Sequence, residues 1–265
     1  MFRRSLTAPF RKSNKNDFND AEAIAEAAVR GHMRFSRVKS AEELDLQALH
    51  RARDRLIRER TGQINQIRAS LLENGITVAQ GKAQRQQRLP EITHDADYGL
   101  SGVMLRLLEI LVGRWRELDD AINKLTHEIE LIGRASELCQ RLVSIPGVGM
   151  LSATALVAAV GDAKQFRHAR DLAAWIGLVP RQFITGGKPR LLGVGGRGNG
   201  YVRKLLIHGA CGVMSRLNRS KHQLAAWLTQ LETRVHPNIG AVALANKLAR
   251  IAWAVLTKGD TYRPA

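Results

Sequence analysis

The stretch from Val179 to Leu206 combines residue types that hold a phosphate with a hydroxyl group that can attack one. It reads V-P-R-Q-F-I-T-G-G-K-P-R-L-L-G-V-G-G-R-G-N-G-Y-V-R-K-L-L and contains seven glycines. Glycine lets main-chain N–H groups approach a phosphate closely, and lysine and arginine neutralise its charge. We therefore predict a mobile, glycine-rich loop that binds a phosphate backbone. Thr185, just before Gly186-Gly187, is its candidate nucleophile.

The chain around this stretch is basic. No Asp or Glu occurs from Leu172 to Leu231, whereas Arg181 to Lys221 contains nine lysines and arginines. A basic segment without acids suits a polyanion. The residues predicted here to contact nucleic acid are Arg181, Gly186, Gly187, Lys188, Arg190, Arg197, Asn199, Arg203 and Lys204.

A pair of carboxylates near the start of the chain is the second candidate for chemistry. Asp17 and Asp20 lie three positions apart in the alanine-rich segment N-D-F-N-D-A-E-A-I-A-E-A-A, so they share one face of the first turn of a predicted helix. Clustered carboxylate oxygens are good ligands for hard divalent cations such as Mg²⁺. Carboxylates also stabilise a helix N-terminus by capping and by their charge, and the spacing alone leaves both interpretations open.

A long helix is predicted after these carboxylates. It begins after Ser40 in a capping-box pattern, continues to about Glu73 and ends at Asn74-Gly75. Its apolar positions form a stripe, and its other faces are basic. The arginines on it that are predicted to contact nucleic acid are Arg51, Arg55 and Arg58.

A second long helix carries an unbroken heptad pattern. Its apolar positions are Leu108, Leu111, Trp115, Leu118, Ile122, Leu125, Ile129 and Ile132. We predict that this seam packs against the first long helix as an antiparallel hairpin, forming a coiled-coil arm that can also pair between protomers. An ordinary core helix is the alternative.

A helix-hairpin-helix element is predicted next. The segment R-L-V-S-I-P-G-V-G is followed by the apolar helix L-S-A-T-A-L-V-A-A-V. The N–H groups of such a turn, here at Gly147 and Gly149, can hold a DNA phosphate without reading its sequence. P-G-V-G is also ordinary turn chemistry, so both interpretations stand. In the last helix, Asn246 and Arg250 share a face, where they either pack on the rest of the domain or contact phosphate.

The composition favours a nucleic acid as the partner. Lys and Arg number 41 against 24 acids, which gives a net charge of +17. We expect no membrane association, since no basic amphipathic helix with bulky aromatics appears at either end of the chain and no apolar run approaches membrane-spanning length. Cys139 and Cys211 lack a pairing pattern and are predicted to be buried thiols in the cytoplasm, and the eight histidines lack metal-ligand spacing.

The motifs together resemble one family. The first set is K-N-D-F-N-D-A-E-A-I-A-E-A, M-R-F-S-R-V-K, L-H-R-A-R-D-R-L-I-R-E-R-T and N-Q-I-R-A-S-L-L-E-N-G-I. The second is I-P-G-V-G, A-A-W-I-G-L-V-P-R-Q, G-G-K-P-R-L, R-G-N-G-Y-V-R-K-L-L-I-H-G-A and A-N-K-L-A-R-I-A-W-A-V-L. In this order, from about Lys15 to Leu256, they resemble the DEDD-type insertion-sequence transposases of the insertion sequence 110/1111 group.

The resemblance implies an N-terminal RuvC-like, ribonuclease-H-type domain whose acidic tetrad holds divalent metal. It also implies a coiled-coil arm and a C-terminal transposase domain whose serine forms a covalent link to DNA. The implied partners are DNA, a non-coding bridge RNA that selects the sites, and further copies of the chain in a dimer or tetramer. Asp17 and Asp20 match the last two acids of the tetrad, so the resemblance implies that they are catalytic residues and Mg²⁺ ligands.

The chain departs from the family pattern at three points. The first two acids of the tetrad belong on upstream strands, and Met1 to Asn16 contains no acid, so we expect an N-terminally truncated copy. The chain reads I-T-G-G-K where the family has a serine, which leaves the β-branched Thr185 as nucleophile, with Tyr201 or Tyr262 as alternatives. It also reads G-V-G-G-R-G-N where the family tends to I-S-K-R-G-N/D.

These observations predict a mainly α fold in three parts. Residues 1–39 are the end of a RuvC-like α/β domain, residues 40–135 form the coiled-coil arm, and residues 136–265 form the transposase domain with the helix-hairpin-helix and the glycine-rich loop. The predicted function is DNA strand cleavage and rejoining by a cytoplasmic transposase. A catalytically inactive, nucleic-acid-binding remnant is the alternative, and a purely structural coiled coil leaves the basic segment unexplained.

Overall fold

The computed structural model describes residues 16–30, 37–79, 81, 88–92, 98–217 and 224–263. The helices are α1 (Asp17–Ala28), α2 (Ala41–Glu73), α3 (Gly102–Ala135), α4 (Glu137–Val143), α5 (Met150–Val160), α6 (Ala169–Ile176), α7 (Gly200–Arg216), α8 (Leu224–Glu232) and α9 (Pro237–Lys258). The strands are β1 (Pro180–Thr185) and β2 (Lys188–Val194). The prediction of a mainly α fold is confirmed.

The two long helices pack against each other in opposite directions. Helix α2 is capped by Ser40, whose hydroxyl accepts from the backbone N–H of Glu43 while the Glu43 carboxylate accepts from Ser40 N–H. Across the pair, Arg60 Nη1 lies 2.7 Å from Asp119 Oδ1, and Gln63 Nε2 donates to the carbonyl of Leu111 at 3.0 Å. A residue that comes later in α2 contacts a residue that comes earlier in α3, so the two helices are antiparallel, as predicted. Its identity as a coiled-coil arm stays a prediction.

The heptad seam of α3 is buried along most of its length, but against two different partners. Near the start of α3, Leu108 and Trp115 join a buried cluster with Ile67 and Leu71 of α2. Near its end, Ile129 packs with Leu46 of α2 and Ala158 of α5. Helix α3 therefore joins α2 to the C-terminal helices as well as pairing with it.

The C-terminal core is built around α9. Its residues Leu244, Leu248 and Ala252 are fully buried, and α9 packs against α4, α6, α7 and α8. Contrary to the sequence prediction, α9 is long and apolar enough for a membrane span by length and composition. Half of that apolar window is buried inside the fold, where it forms part of the main core cluster.

The turn between α4 and α5 packs tightly against α7. Gly147 has φ +80°, a conformation that favours glycine, and it is half-buried. A Cβ atom at Gly209 would lie 2.0 Å from the carbonyl oxygen of Gly147, and one at Gly147 would lie 2.6 Å from Val213. Helices α4 and α5 are joined by a turn whose first glycine makes a close contact between backbones, and its identity as a helix-hairpin-helix element stays a prediction.

The glycine-rich segment contains a β-hairpin, where the sequence analysis predicted a loop. Strands β1 and β2 pair antiparallel, with Phe183 opposite Arg190 and Thr185 opposite Lys188. The turn residues Gly186 and Gly187 have φ of +57° and +75°. Two consecutive positive φ angles are characteristic of the type I′ turn, whose twist matches that of the paired strands. The loop prediction was wrong because glycine content was weighed above this turn signal.

The two cysteines differ in exposure, although both were predicted to be buried. Cys139 is buried in the C-terminal core, while Cys211 is exposed, and both are free thiols. The buried positions of α7 are Val202, Leu206, Ala210 and Val213. Position 211 follows Ala210 by about 100° around the helix and so faces away from the core.

The contact between the α4–α5 turn and α7 gives a stability prediction with an internal control. Gly209→Ala places a methyl group against the Gly147 carbonyl, so the backbones must separate, and the expected loss is about 1–3 kcal/mol in the free energy of unfolding. Gly212→Ala, one turn later on α7, meets open space and should gain about 0.5–1 kcal/mol from helix propensity. Urea unfolding of the two variants measures both changes. Equal effects of the two substitutions would contradict this packing.

Candidate nucleic-acid interface

The β-hairpin presents four chemically distinct side chains on one face. Phe183 and Arg190 are directly opposite each other, as are Thr185 and Lys188. Because Phe183 and Thr185 are two positions apart on one strand, these two pairs share a face. All four side chains are exposed. An aromatic ring, a hydroxyl and two cations therefore face solvent together.

Thr185 lies at the end of β1, beside the hairpin turn, and is exposed. Within residues 16–30, 37–79, 81, 88–92, 98–217 and 224–263, its hydroxyl has no hydrogen-bond partner. In that part of the chain, therefore, no histidine or carboxylate is in place to take its proton. The described residues therefore leave the hydroxyl exposed to solvent and place beside it no base of the kind that usually activates such a nucleophile.

The loop that leads from the hairpin into α7 is held by close backbone contacts. A Cβ atom at Gly198 would lie 2.5 Å from the carbonyl oxygen of Ile176, the last residue of α6. Arg203 Nη1 donates to the same carbonyl at 3.2 Å and to the carbonyl of Arg197 at 2.7 Å. Asn199 caps α7 by accepting from Val202 N–H. Arg203 and Asn199, both predicted nucleic-acid contacts, thus have identifiable structural roles, while Arg197 is exposed.

A cleft of about 190 Å³ lies where the first long helix meets the C-terminal helices. It is lined by residues of α2, by Ala155, Ala158 and Ala159 of α5, and by the start of α7. Three of the predicted nucleic-acid contacts converge on it: Arg51, Arg58 and Asn199. Arg55 is exposed on the same helix but pairs with Glu59 at 2.8 Å.

A buried histidine connects the three helices at this cleft. His50 is 3% exposed, its Nδ1 lies 2.9 Å from Tyr201 Oη, and its Nε2 lies 3.0 Å from Thr154 Oγ1. Burial, with a smaller effect of the Arg53 guanidinium, lowers the pKa of His50 from 6.5 to about 4. His50 is therefore neutral at physiological pH. His50 was not predicted from the sequence, because nothing in a basic helix distinguishes a histidine that links helices from any other histidine.

Tyr201 and Lys204 extend this contact between α2 and α7. Lys204 pairs with Asp54, which also pairs with Arg58 at 3.3 Å, and the Lys204 ammonium lies 5.1 Å from the centroid of the Tyr201 ring. Burial raises the pKa of the Tyr201 phenol, which is the opposite of what activates a tyrosine nucleophile. Burial also raises the pKa of Tyr262. The roles of Tyr201 and Tyr262 as alternative nucleophiles stay predictions.

Asp17 and Asp20 occupy the first turn of α1, as predicted. Asn16 caps the helix by accepting from Asn19 N–H at 2.6 Å, so the capping position belongs to Asn16 and to neither aspartate. The donor type suits a hard cation, and of the six oxygen ligands of Mg²⁺ a protein usually supplies one or two carboxylates while water and substrate supply the rest. Among the residues that the structure describes, no group of three or more metal-binding side chains occurs. Asp17 and Asp20 therefore supply part of a ligand set.

The remaining predicted contacts are Gly149, Arg181, Gly186 and Gly187, all of which are exposed. Gly149 is the N-cap of α5, and no side chain caps this helix end. The methylenes of Arg181 lie across Gly195, where a Cβ atom would be 2.8 Å from Arg181 Cδ and Cγ.

A second, larger groove was not predicted from the sequence. It has a volume of about 1170 Å³ and runs between α9 and the base of the hairpin. The Lys247 ammonium lies 4.3 Å from the centroid of the Trp227 ring at its edge, and burial together with Arg250 lowers the pKa of Lys247. Asn246 Nδ2 donates to the carbonyl of Leu178 at 3.0 Å. Asn246 thus packs on the rest of the domain, one of the two roles considered for it.

The lowered pKa of His50 predicts a specific pH dependence of stability. Between pH 6.5 and about 4 the imidazole binds a proton in the unfolded chain but not in the folded chain. The free energy of unfolding is therefore highest above pH 6.5 and decreases as the pH falls through that window. When the pH is lowered from about 7.5 to about 5.5, the free energy of unfolding of the wild-type protein should decrease by about 1 kcal/mol more than that of His50→Gln. Urea unfolding at the two pH values measures this difference.

The matched control is His208→Gln, which removes an exposed histidine from α7. This variant should keep the wild-type pH dependence. If His50→Gln and His208→Gln respond identically to pH, the buried neutral state of His50 is wrong.

Comparison with known proteins places these elements in a family. Residues 139–226, which include the α4–α5 turn, the hairpin and α7, match the profile described as "Transposase IS116/IS110/IS902 family". Residues 3–75, which include Asp17 and Asp20, match a second transposase profile, that of DEDD transposases of the IS110 type.

Curated relatives match over nearly the whole chain. The transposase for insertion sequence element IS1111A of Coxiella burnetii is 47% identical over 96% of this chain and 70% of its own length. A probable family 20 transposase of Pseudomonas aeruginosa is 43% identical over 97% of this chain and 76% of its own length. The transposase for insertion sequence element IS1328 of Yersinia enterocolitica is 43% identical over 96% of this chain and 75% of its own length. The chain therefore belongs to the IS110/IS116 family of insertion-sequence transposases.

Proposed function

We propose that this transposase binds DNA and a guide RNA through its exposed basic hairpin and the neighbouring arm, and that it takes part in DNA strand cleavage and rejoining. The observation that carries the proposal is the hairpin face with Phe183, Thr185, Lys188 and Arg190 exposed together. It lies in a segment from Leu172 to Leu231 that contains no acid, so nothing in that segment opposes a phosphate backbone.

The long helices supply a second part of the proposed interface. Arg51 and Arg58 line the cleft beside the start of α7, and the antiparallel pair of α2 and α3 extends away from it as the proposed coiled-coil arm. Such an arm provides reach along a nucleic acid and a surface for pairing with another copy. In this proposal residues 40–135 are the arm, residues 1–39 belong to a RuvC-like domain and residues 136–265 form the transposase domain. The proposed assembly is a dimer or tetramer that acts in the cytoplasm.

Asp17 and Asp20 are proposed to hold a divalent cation, for which Mg²⁺ is the candidate, together with ligands from outside the described residues. Their carboxylate oxygens have the right chemistry, and both lie in one turn of α1. A bound divalent cation offsets charge on a scissile phosphate and so favours attack by a hydroxyl. The contribution of the chain itself is the fixed spacing of the two carboxylates.

Thr185 is proposed as the nucleophile. Its Oγ1 attacks the phosphorus of a DNA phosphodiester, a bond forms between Oγ1 and phosphorus, and the bond from phosphorus to the departing sugar oxygen breaks. The hydroxyl proton leaves with a base, and the departing oxygen takes up a proton. Lys188, directly opposite Thr185 in the hairpin, is placed to offset the charge on the phosphate.

A second candidate function is nucleic-acid binding without cleavage. The observation that favours it is the exposed Thr185 hydroxyl, which has no partner among the described residues to accept its proton. In this second function the hairpin and the arm still bind nucleic acid, and another transposase chain carries out the cleavage.

Covalent capture distinguishes the two functions. We expect a labelled DNA spanning the junction of the insertion element, with RNA transcribed from the same element and Mg²⁺, to form a covalent adduct with the wild-type protein. Thr185→Ala should remove the adduct, because the attacking oxygen is lost. Thr185→Ser, which keeps the hydroxyl without the β-branch, should form at least as much. Denaturing gel electrophoresis followed by peptide mapping locates the link.

An adduct that persists in Thr185→Ala would assign the nucleophile elsewhere. If neither the wild-type protein nor Thr185→Ser forms an adduct while both bind the DNA, the cleavage proposal fails and the second function holds.

A further inference from the structure

The hairpin carries a largely exposed aromatic ring that is not part of a hydrophobic core cluster among the described residues. Phe183 is 58% exposed, and every residue of β1 is exposed. The two strands pair only with each other among the described residues. A phenyl ring held at a fixed position in solvent, opposite a guanidinium, is a surface for stacking.

We propose that this face binds an unpaired nucleic-acid strand, with a base stacked on Phe183 and the strand's phosphates neutralised by Lys188 and Arg190. The inference rests on the proposed nucleic-acid-binding function and names the kind of substrate that this part of the interface takes. Aromatic platforms flanked by cations bind single strands with little sequence preference, because every base has a stacking face.

The chemistry of the ring favours an unpaired strand over a duplex. In a duplex, neighbouring bases cover both faces of each base, so only base edges and phosphates remain accessible in the grooves. A phenyl ring has no donor or acceptor for those edges. In a single strand the face of each base is accessible, so a base can stack on the Phe183 ring, whereas in a duplex it cannot.

The charges on the hairpin fit the same substrate. Lys188 and Arg190 lie two positions apart on β2, about 7 Å along the strand, and their side chains share the face of Phe183. This spacing lets one cation serve each of two successive phosphates of an extended strand. Arg190, directly opposite Phe183, is also placed to lie beside the stacked base.

The opposite face of the same strand offers a matched control. Ile184 is 59% exposed, next to Phe183 at 58%, and it points to the other face of the hairpin. It is apolar and nearly equally exposed, and it lacks an aromatic ring. Truncation at either position removes exposed apolar surface from β1, so a difference between the two variants reports on stacking.

The test compares binding of a fluorescein-labelled oligothymidylate with binding of a duplex of the same length, at one salt concentration, by fluorescence anisotropy. Phe183→Ala should weaken binding of the single strand by about 5- to 150-fold, the range found for loss of one base–aromatic stack. Binding of the duplex should change by less than about threefold. Ile184→Ala should leave both affinities near the wild-type values, and Phe183→Trp should retain single-strand binding.

Two results would overturn the inference in different ways. If Phe183→Ala and Ile184→Ala weaken single-strand binding equally, or if Phe183→Ala weakens duplex binding as much as single-strand binding, the stacking platform is wrong and the proposed nucleic-acid binding stands. If the wild-type protein binds neither probe at low salt, the proposed function itself fails.

Discussion

Close contact between backbones along α7 is the constraint on which the C-terminal part of the structure depends. Near the middle of α7, Gly209 meets the carbonyl of Gly147 in the α4–α5 turn, and just before α7, Gly198 meets the end of α6. A side chain at either site would separate elements that now touch. These contacts fix the position of the start of α7 and of the loop that connects it to the hairpin. They therefore also fix where the hairpin, with Lys188 and Arg190, joins the C-terminal helices.

Polar contacts connect the long helix α2 to the C-terminal helices α5 and α7. His50 of α2 reaches both Tyr201 of α7 and Thr154 of α5, and Lys204 of α7 pairs with Asp54 of α2. A buried imidazole with both nitrogens hydrogen-bonded has no unsatisfied polar atom, so its burial specifies one arrangement of the three helices. The two long helices and the C-terminal helices therefore meet at a defined cleft, which Arg51 and Arg58 line.

The sequence predicted the features that depend on local periodicity. The heptad seam from Leu108 to Ile132 and the capping pattern at Ser40 each correspond to an observed helix. It did not predict features that depend on distant partners. Arg203 donates to a carbonyl that is twenty-seven positions away in the sequence. His50 links helices because its hydrogen-bond partners lie on α5 and α7. The hairpin was missed for another reason, since its turn glycines were interpreted as a phosphate loop. The predicted catalytic residues Asp17, Asp20 and Thr185 lie on α1 and β1, and their roles stay predictions.

The central claim is that the hairpin face contacts the phosphate backbone of a nucleic acid. The most direct measurement is the slope of log affinity against log salt concentration for a single-stranded oligonucleotide. Each phosphate contact contributes about 0.7 to this slope, so Lys188→Gln should reduce its magnitude by about that amount. Lys258→Gln, which removes one exposed lysine from the end of α9, should leave the slope unchanged. Equal slopes for the wild-type protein and both variants would contradict the account.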